Sequence, residues 1–141
     1  VVATENKDTE TVANLLAKVH EDKVPVLEYN SESALRYVVL MSYLAAEKDY
    51  LAPLNEFPTG KGFADIVYLP KKVSKKGKPA LIIELKKDAS AKVALEQIKE
   101  RDYVSRVKEY TDNILLIGIN YDSKTKQHSC EIKEYPKQES T

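Results

Sequence analysis

The run Ile114-Leu115-Leu116-Ile117-Gly118-Ile119 constrains the fold of this chain more than any other stretch. It has the length of a strand and no polar residue alternates within it. Such a strand has no solvent face, so it belongs in the middle of a sheet covered on both sides. Two further runs share its strand length. Ala80-Leu81-Ile82-Ile83-Glu84-Leu85-Lys86 is apolar until a charge enters at Glu84, and Phe63-Ala64-Asp65-Ile66-Val67-Tyr68 embeds a single aspartate. Between the Ala80 and Ile114 runs the periodicity becomes helical, with Ala91, Ala94, Leu95 and Ile98 on one face and Ser90 placed to cap it. Two strands joined through a helix pair in parallel, which predicts a mixed sheet with a right-handed crossover.

Residues 51–57 read as a first strand, interrupted by Pro53 and therefore at an edge. Pro58-Thr59-Gly60-Lys61-Gly62 turns into the second strand at residues 63–69, and residues 70–79 form a lysine-rich hairpin loop into the third. Residues 122–126 make the last turn, and 127–135 alternate as a closing edge strand. Upstream, Val12, Leu15, Leu16 and Val19 form the stripe of a short amphipathic helix that Pro25 ends. Asn30 or Ser31 can cap the next helix, whose residues 37–46 are apolar on nearly every side and predict a helix covered all round. Beyond Arg101 the stripe moves to Tyr103, Val107 and Tyr110, which predicts a kink or a second short helix. The order is α-α-β-β-β-α-β-β. At 141 residues this is one core. Residues 1–29 are expected to be linker (1–10) and N-terminal helix, 30–136 the domain and 137–141 a tail; the chain starts at Val1, not Met, so upstream sequence is expected.

Lys plus Arg and Asp plus Glu both number 22, so net charge provides no argument for a nucleic-acid partner. Locally, Lys61, Lys71, Lys72, Lys75, Lys76 and Lys78 face a single acid, Asp65; such a stretch suits phosphate contacts or a solvated hairpin tip. Cys130 is the one cysteine, which excludes an internal disulfide and a multi-cysteine zinc site and points to the cytosol. No apolar run is long enough to span a bilayer. His20 and His128 lie far apart without a nucleophile pattern, and Gly60-Lys61-Gly62 lacks the length and hydroxyl of a phosphate-binding loop.

Side chains on a strand alternate, so Glu84 and Lys86 project to one side and Leu85 to the other. A short hairpin brings Asp65 beside them. Two carboxylates can hold Mg²⁺ or Mn²⁺ while leaving positions for water and a substrate phosphate, and a neighbouring ammonium can orient that water. The surroundings of Asp65 and Glu84 are apolar, and a buried carboxylate is costly without a compensating cation. Glu32 lies in the first turn of the apolar helix, either aimed inward or serving as a favourable charge at a helix N-terminus. Gln97 flanks the buried stripe, where it can hydrogen-bond toward the strands or face solvent.

The segments Pro58 to Val67, Glu84-Leu85-Lys86, Gln97-Ile98-Lys99 leading to Tyr103, and Ile114 to Tyr121 together resemble the PD-(D/E)xK nuclease superfamily. More narrowly, the chain resembles the nuclease-like C-terminal domain that bacterial proteins carry behind an AAA-ATPase-like domain. The resemblance covers residues 30–135. It implies a restriction-endonuclease-like α-β-β-β-α-β core with a mixed central sheet, here with an extra C-terminal edge strand and an N-terminal amphipathic helix. It also implies Mg²⁺-dependent phosphodiester hydrolysis, of DNA before RNA. Asp65 and Glu84 match the acidic metal pair, Lys86 the lysine near the attacking water, Glu32 the first-helix glutamate, counted here with the metal ligands, and Gln97 the helix glutamine, counted with the catalytic residues, with the Leu85 carbonyl as a further ligand. Ala64 stands where the motif's name places proline. The competing reading is a catalytically silent nucleic-acid-binding or interaction module that partners the ATPase-like domain.

Overall fold

The computed structural model describes residues 2–23, 32–55, 66–71, 78–100 and 113–135. Its elements are α1 (Val2–Glu5), α2 (Thr9–Lys23), α3 (Glu32–Ser42), a 3₁₀ turn (Leu44–Lys48), β1 (Leu54–Asn55), β2 (Ile66–Tyr68), β3 (Ala80–Lys87), α4 (Ala91–Glu100), β4 (Ile114–Asp122) and β5 (Gln127–Tyr135). The strands lie in the order β1-β2-β3-β4-β5. β3 and β4 pair in parallel across the α4 crossover, and the other neighbours are antiparallel. This is the mixed α-β-β-β-α-β core that the apolar runs predict, with β5 as the added edge.

Side-chain parity divides the core in two. Leu81, Ile83 and Leu85 of β3 and Leu115, Ile117, Ile119 and Tyr121 of β4 pack with Val12 and Leu16 of α2 and Leu35, Val38 and Val39 of α3. Ala80, Ile82, Ile114 and Leu116 pack instead with Val67 and with Leu95 of α4. β4 is buried from Ile114 to Tyr121, as a strand without polar alternation requires. The Ser90 hydroxyl accepts from the Val93 amide at 3.1 Å and caps α4. The final turn is closed by Asp122, whose Oδ1 accepts from the amides of Lys124 and Thr125 while its carbonyl accepts from Lys126, a residue at φ 64°.

Three expectations change. Residues 2–5, read as polar linker, form a helical turn in which Thr4 is buried against the Tyr43 hydroxyl at 2.5 Å and Glu5 pairs with Lys78. In α2 the buried line runs Val12, Leu16, His20, whereas Leu15 is exposed. Residues spaced by four stay nearly aligned on a helix, so docking on the sheet selects that line and rotates Leu15 outward. The apolar stretch of α3 is not covered all round: Tyr37 is 44 % exposed, and Leu44, in the following 3₁₀ turn, is 56 % exposed. Leu35, Val38 and Val39 carry the contact of α3 with the core, and among its described residues Tyr37 is the exposed one. The features expected at Asn30, Ser31 and residues 101–112 lie outside the described residues.

Candidate active site

β3 changes character at Glu84. By parity Glu84 and Lys86 share the α4 face with Ala80 and Ile82, while Leu85 turns to the other. Glu84 is 0 % exposed, and neither Oε1 nor Oε2 has a hydrogen-bond partner among the described residues. Leaving a buried polar group unsatisfied costs about 1–3 kcal/mol, and more when it is charged. An aliphatic residue would remove that penalty. A carboxylate held in this condition has the donor chemistry that a hard divalent cation accepts, so the residue fits such a group.

The neighbouring strand is shaped around the same place. Gly118 is the register partner of Glu84 across the parallel ladder. A β-carbon at Gly118 would fall on the Ala91 carbonyl oxygen and 2.9 Å from the Leu95 amide nitrogen, so only glycine lets the first turns of α4 lie this close to β4. Two positions along, Lys86 is partly exposed and is the register partner of Asn120. Asn120 is buried, and its Oδ1 accepts from the Ala89 amide at 2.9 Å. Asp88, at φ 57°, donates its amide to the Tyr121 carbonyl and accepts from the Ser123 amide at 2.7 Å and the Ser123 hydroxyl. Those two bonds, the amide's first, hold its carboxyl below the usual aspartate value. The connection from Lys86 to α4 is thereby tied at both flanks to the end of β4.

Sequence reasoning singled out neither Asn120 nor Asp88 for the site. The available signal was a polar residue closing an otherwise apolar strand. His20 and His128, set aside in the sequence because they lie far apart along the chain, meet on the other face. His20 Nδ1 and His128 Nε2 lie 2.9 Å apart, and Tyr121 packs against both rings. Burial, with the His20 ring second, lowers the pKa of His128 to about 4.

Of the other candidate residues, Asp65, Lys61, Lys72, Lys75 and Lys76 lie outside the described residues, as do the side chains of Glu32 and Gln97. α3, which Glu32 opens, packs on the face opposite Glu84; α4, which carries Gln97, packs on the same face. Lys71 and Lys78 sit at the Ala80 end of the sheet, away from Lys86. Lys78 is engaged by Glu5 at 3.3 Å and Asp49 at 3.8 Å. Among the described residues no group of three or more His, Cys, Asp or Glu side chains is arranged to hold a metal ion, and no helix is long and apolar enough to cross a membrane.

Residues 31–131 match the family model described as the PD-(D/E)XK nuclease superfamily. No curated protein and no solved structure matches the chain.

Proposed function

The chain belongs to the PD-(D/E)XK nuclease superfamily, and we propose that it is a divalent-metal-dependent nuclease domain acting on DNA in preference to RNA, with Asp65, Glu84 and Lys86 at its centre. The observation that carries this reading is the buried Glu84 carboxylate with both oxygens unpartnered among the described residues. The register pairs Ile66 with Ile83, Val67 with Ile82 and Tyr68 with Leu81. A ladder continued by one pair would bring Asp65 opposite Glu84, on the face of Val67 and Ile82. Two carboxylates there would share a cation that neither could neutralise alone.

In this reading Asp65, Glu84 and the Leu85 carbonyl are the ligands of Mg²⁺ or Mn²⁺. When bound, the ion lowers the pKa of coordinated water and offsets phosphate charge. Lys86 holds the attacking water by donating from Nζ and stabilises the negative charge that develops on the phosphate oxygens. Gln97 donates toward the same face from α4. Asn120 and Asp88 are positioning residues: they fix the β3–α4 connection, and with it the direction of Lys86. Burial of Glu84 under apolar neighbours keeps bulk water from competing for its oxygens. The single described cysteine, Cys130, is free and buried, in keeping with a cytoplasmic protein, and the partner we infer is an upstream AAA-ATPase-like domain.

The test is cleavage of single- and double-stranded DNA and of RNA with Mg²⁺ or Mn²⁺, by the wild type and by Asp65→Asn, Glu84→Gln and Lys86→Met. The reading requires loss of at least about 10²-fold in each variant with folding retained. Cleavage without metal, or wild-type rates in the variants, would refute it. Absence of both cleavage and metal binding in the wild type would support a silent binding module instead.

A further inference from the structure

A second site lies on the opposite face of the sheet, beside β1. A cavity of about 540 Å³ opens there, within the range of about 300–1,000 Å³ typical of small-molecule sites. Its lining includes the rings of Tyr43, Tyr50 and Tyr68, and the exposed side chains of Leu44 and Leu51. The rings are locked together: Tyr43 stacks on Tyr68 at 5.8 Å, and Tyr50 meets Tyr68 edge-on at 6.2 Å.

Two of the three hydroxyls are used by the fold. Tyr43 bonds Thr4, and Tyr50 donates to the Pro79 carbonyl at 2.6 Å. The third is different. Tyr68 is 4 % exposed and lines the cavity, and its hydroxyl has no hydrogen bond among the described residues. Lys71 lines the same cavity, and its ammonium has no ion pair or hydrogen bond among the described residues. The nearby acid, Asp49, faces Lys78 at 3.8 Å. Among its described lining residues, this apolar, aromatic chamber thus carries one cation and one spare hydroxyl donor, and no acidic side chain.

We propose that this cavity binds an apolar monocarboxylate, its flat hydrocarbon body against the tyrosine rings and its carboxylate accepting from Lys71 Nζ and Tyr68 Oη. A phosphate monoester would bring a second charge that one ammonium leaves unbalanced, and a neutral ring would leave Lys71 unused. The site shares no residue with Glu84 or Lys86, so it stands whether or not the chain cleaves nucleic acid.

The experiment titrates the full chain, in EDTA, with naphthylacetate and with its neutral amide, followed by calorimetry and by amide chemical shifts. The expected result is 1:1 binding of the acid with Kd of about 1 mM or tighter, the amide at least about tenfold weaker, and shifts centred on Leu44, Leu51 and Lys71. Lys71→Met should erase the preference for acid over amide, and Tyr68→Phe, which removes no hydrogen bond described in the fold, should weaken the acid about threefold to tenfold without lowering the melting temperature. Equal binding of acid and amide, an acid preference that survives Lys71→Met, or no binding at all would overturn the proposal. So would an acidic peptide with a central tryptophan that binds at the same residues about tenfold tighter than naphthylacetate, because the cavity would then serve a protein partner.

Discussion

If Glu84 is retained for a ligand and not for the fold, replacing it should make the protein more stable when no metal is present. Glu84→Met exchanges a buried carboxylate, unpartnered among the described residues, for an apolar side chain of similar volume. Removing an unsatisfied buried group contributes about 1–3 kcal/mol, and a volume-conserving core exchange costs less than about 1.5 kcal/mol. The net expectation is stabilisation by about 1–2 kcal/mol, or about 2–8 °C in melting temperature for a chain of this size. Urea denaturation in EDTA reads it as a higher midpoint at unchanged slope. Adding Mg²⁺ should then raise the midpoint of the wild type and leave the variant where it was, since only a native state that binds the ion gains from it. A variant less stable than wild type by about 1 kcal/mol or more in EDTA would contradict this, because Glu84 would then be making a favourable contact inside the fold.

Gly118→Ala should destabilise by about 1–3 kcal/mol, measured by the same denaturation, because the added carbon meets backbone atoms of Ala91 and Leu95 and not a movable side chain. Tyr50→Phe leaves the Pro79 carbonyl without its 2.6 Å donor and should cost about 1–3 kcal/mol in a urea midpoint. His128 adds a pH dependence. Its pKa is lowered from 6.5 to about 4, so between these values the unfolded chain takes up a proton that the folded chain refuses. Stability is therefore complete above about pH 6.5 and falls as pH drops toward 4; allowing for partial solvent exposure of the ring, the loss is about 1–2 kcal/mol. Midpoints measured across that window should flatten in His128→Phe, and an unchanged slope would assign the effect elsewhere.

The central sheet was legible because uninterrupted apolar runs leave a strand few places to go. Ile114 to Ile119 could only be interior, and β3 could only lie beside it once Ser90 opened a helix between them. Glu84 and Lys86 were legible for the same reason, as charges inside a strand whose two-residue period fixes their common face. Helix faces were harder. The stripe through Leu15 was as regular as the one through His20, and only docking on the sheet chose between them. That choice carried His20 to His128 across 108 residues of sequence separation, a meeting that local patterning does not encode. Asn120 and Asp88 escaped notice because their work is to hold a turn, through one amide and one serine, and many polar residues near turns resemble them.

The most direct test of the central claim is Mn²⁺ binding at neutral pH by calorimetry and by paramagnetic broadening, comparing wild type with Glu84→Gln. The account predicts a specific site in the wild type, with broadening centred on Glu84, Gly118 and Ala91, and at least about tenfold weaker binding in the variant. Equal affinity in the two proteins, or broadening confined to surface acids, would contradict it.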